Sequence, residues 1–353
     1  MILNSYIFTN LNNFSMKQFI IPTLPVLMIL PFITHAQYKW MTPPDNPTEL
    51  GDIDWHRNYD KAILASHETD KDIFILFQEV PGCSTCTAYG ESILSHPLLV
   101  EAIEEHFIPL CIYNNKKGHD ATILKKFKEP SWNNPVARII NKDGKDIIPR
   151  MAGNYSYSYV INGIIDALRN SGKTIPEYLQ LMEREYSNQN QKEIILGMFC
   201  FWSGEKHMAT IPGVVETEAG FMNGNEVVKV TYDPEVISSD HLINSARKGN
   251  SADVVFSNSI KNKVVPVKKI GKFRKDKESK YYLYHSPYRA LPMTQHQQLL
   301  ANSEIARGGE ITYLLSDRQQ KLKELIDKTS IKYNAIGVDI IESWKEVVKQ
   351  LKD

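Results

Sequence analysis

Val80-Pro81-Gly82-Cys83-Ser84-Thr85-Cys86 decides how the first half of this chain folds. Just before it, Ile73 to Phe77 is a short unbroken apolar run, the pattern of a strand covered on both faces. Two cysteines separated by two residues, placed where a strand gives way to a helix, point to thiol chemistry. Trp55, Tyr59, Ala62 and Ile63 fall on one helical face upstream. Downstream, Leu98, Leu99, Ala102, Ile103 and Phe107 predict an amphipathic helix, Ile108 to Tyr113 a strand, and Ala121 to Lys128 a short helix. Asn134-Pro135-Val136 then leads into a strand at Ala137 to Ile140. The turn Asp143-Gly144 follows, with a further strand at Asp146 to Ile148. Val160, Ile161, Ile164, Ile165 and Leu168 line one side of a closing helix, and Pro176 to Tyr186 predicts another with its proline in the first turn.

Strand, CxxC, helix, strand, helix, X-Pro, hairpin, helix resembles a thioredoxin fold over residues 48 to about 172. With the following helix, residues 48–186 form the first expected domain. The wording VPGCSTC is similar to that of thioredoxin-like proteins with a VPG-(selenocysteine or cysteine)-x-x signature. A thiol at the first turn of a helix faces unpaired N–H groups and the positive dipole end, which favours the thiolate. Cys83 is therefore expected to attack, and Cys86, one turn later, to resolve. Pro135 stands where thioredoxins carry a cis-proline beside the CxxC. Half of a zinc site is the alternative for Cys83 and Cys86. With no second CxxC and no close His pair, no metal site is expected. Cys111, inside an apolar strand, is expected to be an inert core residue.

Ser187 to Lys192 is polar and free of apolar residues, so residues 187–192 are expected to link two domains. Glu193 to Phe199 predicts a strand leading into Cys200-Phe201-Trp202-Ser203-Gly204-Glu205. Two strands hinged at Asn223-Gly224-Asn225 come next, then a helix from about Ser239 to Lys248. This β-α-β-β-α order is that of a ferredoxin-like plait. Ser316-Asp317-Arg318-Gln319 is a capping box opening a helix to about Lys328, and Ile340, Ile341, Trp344 and Val348 mark a last helix. The fold class expected is α/β (α+β): a thioredoxin-like domain, a plait over 193–310, and a helical extension over 311–353 packed on the plait.

Leu196-Gly197-Met198-Phe199-Cys200-Phe201-Trp202-Ser203-Gly204-Glu205, Pro212-Gly213-Val214, Ala219-Gly220-Phe221 and Gly224 to Val230 resemble the A-class peptide-methionine sulfoxide reductases. The likeness runs on through Tyr232-Asp233-Pro234-Glu235-Val236-Ile237-Ser238. It implies Cys200 as the nucleophile on a sulfoxide sulfur, Glu226 as the proton donor to the leaving oxygen, and Phe201 with Trp202 as the slot for the S-methyl group. Glu205 is read as a surface or packing residue. The chain departs from the pattern at Phe199 and Ser203, which replace glycines. It also lacks two segments that carry tyrosines in that family. Tyr281, Tyr282, Tyr284 or Tyr288 are candidates to replace those hydroxyls.

No cysteine follows Cys200 in this sequence, and Cys83 with Cys86 are expected to reduce the sulfenic acid that the resemblance implies there. The expectation is a methionine-S-sulfoxide reductase repairing oxidised proteins or peptides. It needs no cofactor beyond thiol/disulfide electron transfer from an external thiol-disulfide reductase. Two alternatives remain: a general thiol-disulfide oxidoreductase, or a non-enzymatic module binding oxidised peptides.

The 353 residues include 41 basic and 41 acidic ones, so no global field favours nucleic acid or an anionic membrane. Met16-Lys17, the apolar run Phe19 to Ile33 and Thr34-His35-Ala36 read as a signal peptide over 1–36 with its start at Met16. Export to the periplasm or medium is expected, with no stable membrane insertion after cleavage.

Overall fold

The apolar run before the CxxC forms a strand with six of its seven residues buried, and the first half is built around it. The computed structural model describes residues 38–187, 190–329 and 331–352. The export reading of residues 1–36, and Asn188 and Gln189 of the expected linker, lie outside the described residues. In chain order the first half has α1 (Tyr59–Thr69), β1 (Asp72–Gln78), α2 (Ser84–Ser92), α3 (Pro97–His106), β2 (Phe107–Tyr113) and α4 (His119–Phe127). These are followed by β3 (Val136–Ile140), β4 (Met151–Ala152), α5 (Tyr157–Asn170) and α6 (Glu177–Tyr186). The sheet order is β2-β1-β3-β4, with β1 parallel to β2 and antiparallel to β3. Alternate residues of β1 serve opposite faces. Phe74 and Leu76 join a core with α2, α3, α5 and α6, while Ile73, Ile75 and Phe77 join one with α1 and α4. A central strand roofed on both sides is why its sequence is continuously apolar.

The expected strand at Asp146 to Ile148 is not formed. After the Asp143-Gly144 turn only a single bridge joins Ile140 to Asp146, and the strand that pairs with β3 is β4. Side-chain ion pairs hold the intervening loop instead. Arg138 and Arg150 both reach the buried Glu129 at 2.7 Å, and Arg138 also reaches Asp146 at 2.6 Å.

The second half has β5 (Lys192–Gly197), α7 (Phe201–Met208), β6 (Val214–Met222), β7 (Asn225–Tyr232), α8 (Ser239–Lys248), β8 (Val254–Phe256), β9 (Val267–Lys268) and β10 (Arg274–Lys275). Then come α9 (Tyr281–Tyr284), α10 (Gln295–Ile305), α11 (Asp317–Lys328) and α12 (Ile340–Lys352). The sheet order is β10-β6-β7-β5-β8-β9. Its inner four strands are antiparallel in the 2-3-1-4 order of a ferredoxin-like plait, with a two-residue strand added at each edge.

The extension does not pack only on the plait. Ile340 of α12 is buried in the core of the first half, and Trp344 lies 5.7 Å from Trp40. At α11 the capping box forms as the S-x-x-Q spacing predicts. The Glu101 carboxylate of α3 accepts the Ser316 hydroxyl and the Arg318 N–H, while the Arg318 guanidinium reaches Glu104 and Glu105. Gln319 meanwhile exchanges amide hydrogen bonds with Gln297 of α10. The reason is supply: α3 offers three acids to the otherwise unpaired start of α11. Lys39–Asp353 is accordingly one compact unit.

A second carboxylate plays the same part. Half-buried Glu185, at the end of α6, accepts the Gln295 and His296 N–H groups at the start of α10. Burial pushes both Glu101 and Glu185 up to about 7 from an ordinary 4.5, against the lowering effect of their hydrogen bonds. Raised values mean the folded chain takes up protons more readily than the unfolded one. The resulting stabilisation is full below about pH 4.5 and is lost as pH rises through about 7. Thermal midpoints are therefore expected to fall between pH 5 and 8, and the double variant Glu101→Gln, Glu185→Gln should flatten that slope.

Candidate active site

Two thiol centres stand at the ends of strands, one in each half. At the first, Cys83 is the N-cap of α2 and is exposed, whereas Cys86 is buried one turn on, their sulfurs 3.4 Å apart. The Cys86 backbone N–H, aided by the Cys86 thiol and by Thr85, lowers the Cys83 thiol below its ordinary range. Burial, with the neighbouring Cys83, pushes Cys86 up to about 11. This split separates the roles of the two sulfurs, because the thiolate is favoured at Cys83, where partners can meet it, and disfavoured at Cys86 beneath. Cys86 donates to Asn134 Oδ1 at 2.6 Å, and the Asn134-Pro135 bond that follows is cis. Pro135, expected beside the CxxC from the thioredoxin resemblance, directly follows the residue that accepts the Cys86 thiol proton.

Sequence reading missed the shell beneath. Gly82 N–H donates to Glu49 Oε1 at 2.7 Å, and the buried Gln78 amide reaches the carbonyls of Glu49 and Cys86. A Cβ on Gly82 would stand 2.5 Å from Glu79 O and 2.6 Å from Cys86 Cβ, so only glycine fits under the CxxC. These partners lie 33 and 29 residues apart in sequence, and no local pattern marks them. Cys111 is fully buried in β2, and burial pushes its thiol to about 12, as an inert core cysteine requires. In a Cys200→Ser background, a short iodoacetamide pulse at neutral pH is expected to label Cys83 and spare Cys86 and Cys111. Mass spectrometry of the peptides checks this.

At the second centre, Cys200 is the N-cap of α7 and is half-buried. The Phe201 N–H donates to Glu226 Oε2 at 2.9 Å, which brings the carboxylate of β7 to the first turn beside the sulfur. Cross-strand pairing sets Glu226 opposite Phe221, and the Phe221 ring meets that of Phe201 edge-on at 5.2 Å. Phe201 is itself buried in the plait core, while Trp202 is half-buried and stacks on Tyr281 at 3.9 Å. Trp202 Nε1–H donates to Asp276 Oδ2 at 3.3 Å. Cys200, Glu226, Phe201 and Trp202 are thus brought together. Of the tyrosines singled out, Tyr281 joins them directly, whereas Tyr288 lies under Lys323 of α11. Phe199, where a glycine was expected, is 92% exposed next to the thiol.

Glu205 is neither on the surface nor a plain packing residue. It is fully buried and accepts the Lys280 backbone N–H (2.7 Å), the Ser279 hydroxyl (3.0 Å), the Thr217 hydroxyl (3.2 Å) and the Lys280 ammonium (3.2 Å). This knot ties the segment bearing Asp276 and Tyr281 to α7, and so positions the groups that hold Trp202. The i, i+4 relation of Glu205 to buried Phe201 was the available signal that it faces inward.

The two centres share no hydrogen bond or ring contact among the described residues.

Residues 54–142 match the Thioredoxin-like family model. The first half is a thioredoxin-like domain. Among curated proteins, the chain is 37% identical over 71 residues to the Peptide methionine sulfoxide reductase MsrA of Methanococcus maripaludis (strain C7), covering 15% of this chain and 45% of that protein. The namesake from Geobacter sulfurreducens is 34% identical over 73 residues, covering 16% and 45%, and that from Photobacterium profundum 32% over 71 residues, covering 15% and 34%. The chain thus spans less than half the length of these relatives. A solved structure named DsbH Oxidoreductase is 18% identical, covers 36% of this chain and 91% of its own, and has a TM-score of 0.30. Among the described residues no helix is long and apolar enough to cross a membrane.

Proposed function

We propose that the chain is a thiol oxidoreductase that reduces methionine-S-sulfoxide in peptides or proteins at Cys200 and draws its electrons from Cys83 and Cys86. The observation that carries this reading is the 2.9 Å hydrogen bond from Phe201 N–H to Glu226, which holds a carboxyl group at the first turn of the helix that Cys200 opens. In this mechanism the Cys200 thiolate attacks the sulfoxide sulfur while Glu226 protonates the departing oxygen. The oxygen leaves as water, and a water molecule then attacks the Cys200 sulfur of the sulfur–sulfur bond just formed, so methionine leaves as the thioether and Cys200 becomes a sulfenic acid. The Phe201, Phe221, Trp202 and Tyr281 rings offer the S-methyl group an apolar wall.

Regeneration follows from the different settings of the CxxC sulfurs. Cys83 attacks the oxidised Cys200 and water leaves. Cys86 then attacks Cys83, which frees the Cys200 thiolate and closes the Cys83–Cys86 disulfide. An external dithiol reduces that disulfide. The protein is proposed to work after export, on oxidised chains outside the cytoplasm.

The test is reduction of the separate S and R epimers of a methionine sulfoxide peptide by purified protein with a thiol donor. Turnover of the S epimer alone supports the reading. Insulin reduction with no sulfoxide turnover favours the general thiol-disulfide oxidoreductase instead. Mixing Cys83→Ser chains with Cys200→Ser chains separates two routes for the relay. Turnover restored by mixing overturns transfer within one chain.

A further inference from the structure

We propose that Glu79, Cys83 and Cys86 form, when the cysteines are reduced, a three-ligand site for a zinc ion. The sulfurs of Cys83 and Cys86 and a carboxylate oxygen of Glu79 all lie within 4.8 Å of one another. Glu79 directly follows β1, and Cys83 and Cys86 open α2, so the site is held by the strand and helix that define the domain. This inference is independent of any role for Cys200.

The geometry suits a tetrahedral ion. Zinc–sulfur bonds of about 2.3 Å at the tetrahedral angle separate two sulfurs by about 3.8 Å. The sulfurs here stand at 3.4 Å, so a small opening of the pair suffices. Two sulfurs and one oxygen leave a fourth position for water or a partner's ligand, and exposed Cys83 gives the ion a way in. The chemistry of the set selects the metal. A hard oxygen beside two thiolates suits borderline zinc, whereas copper(I) is satisfied by the thiolates alone and has little use for Glu79. Calcium and magnesium seek sets made of oxygen.

Binding is a proton exchange and needs no oxidant. Zn²⁺ displaces the thiol protons, including the one Cys86 now shares with Asn134 Oδ1, and both sulfurs bind as thiolates. A metallated pair cannot close its disulfide, and a disulfide offers no thiolate to the ion. Zinc and oxidation are therefore mutually exclusive states of one site, so the metal would hold the CxxC reduced but idle.

The experiment uses the Cys200→Ser chain, fully reduced, titrated with Zn²⁺ against a chromophoric chelator. One equivalent is expected to bind, and none after diamide oxidation. Losing an outer-shell partner typically weakens a metal site by about 10–100-fold, so losing a ligand in Glu79→Gln is expected to weaken zinc by at least about tenfold. Copper(I) binding by that variant, read against bicinchoninate, is expected to be unchanged, which also shows that its thiols remain in place. The proposal is overturned if the parent binds zinc no better than Cys83→Ser, Cys86→Ser. It is equally overturned if Glu79→Gln matches its parent for zinc, or loses both metals together.

Discussion

Serine at position 200 is expected to abolish sulfoxide turnover while leaving insulin reduction by Cys83 and Cys86 unchanged. A hydroxyl is far too weak a nucleophile at neutral pH to replace a thiolate, and no other thiol in this chain is placed to substitute. Cys111 is sealed in β2, and no hydrogen bond or ring contact links Cys83 or Cys86 to the Trp202–Tyr281 stack among the described residues. Glu226→Gln is the graded companion. Its amide can still accept the Phe201 N–H, so the helix start is preserved while the proton to the departing oxygen is lost. General acid catalysis contributes about 10²–10⁴-fold, and kcat should fall within that range with KM little changed. Steady-state assays on the S epimer check both variants. Equal loss of insulin reduction in Cys200→Ser would mean a folding defect or a shared site, and would sink the division of labour between the halves.

Lys280→Met is expected to cost about 3–5 kcal/mol of stability, the usual penalty for stranding one member of a buried ion pair. Glu205 is fully buried and Lys280 nearly so, and the ammonium also reaches the Thr217 carbonyl. Methionine fills similar volume but leaves Glu205 with only the Ser279 and Thr217 hydroxyls and a backbone N–H. Denaturant melts read the loss, and the Trp202 fluorescence near Tyr281 should change before the global transition as the segment bearing Tyr281 loosens. Replacing both residues together, Glu205→Leu with Lys280→Met, should recover much of the loss, since an apolar pair avoids the desolvation that the charged one bears.

What was legible in the sequence was local. The β1 run, the helix start at the CxxC and the capping box at Ser316 each rest on a spacing of a few residues, and each forms. Cys200 and Glu226 were singled out through the resemblance to the A-class reductases, and pairing of β6 with β7 around Asn223-Gly224 sets Glu226 at the start of α7. What stayed hidden was held by long separations. Lys280 lies 75 residues from Glu205, and Arg318 lies 217 from Glu101. A charged residue in an amphipathic stretch gives no sign of which distant partner will bury it. Asp146 to Ile148 stays a loop, with Asp146 drawn to Arg138 and the neighbouring Arg150 to the distant Glu129.

The last helix carries a consequence for the making of the protein. Ile340 completes a hydrophobic core whose other walls are finished by Tyr186. Translation at about 5–20 residues per second leaves roughly 8–30 s between the emergence of those walls and of their plug. For that interval the nascent polypeptide displays an open apolar seam, the kind of surface a holding chaperone recognises. A message truncated before α12 would then yield a first half with that seam left open.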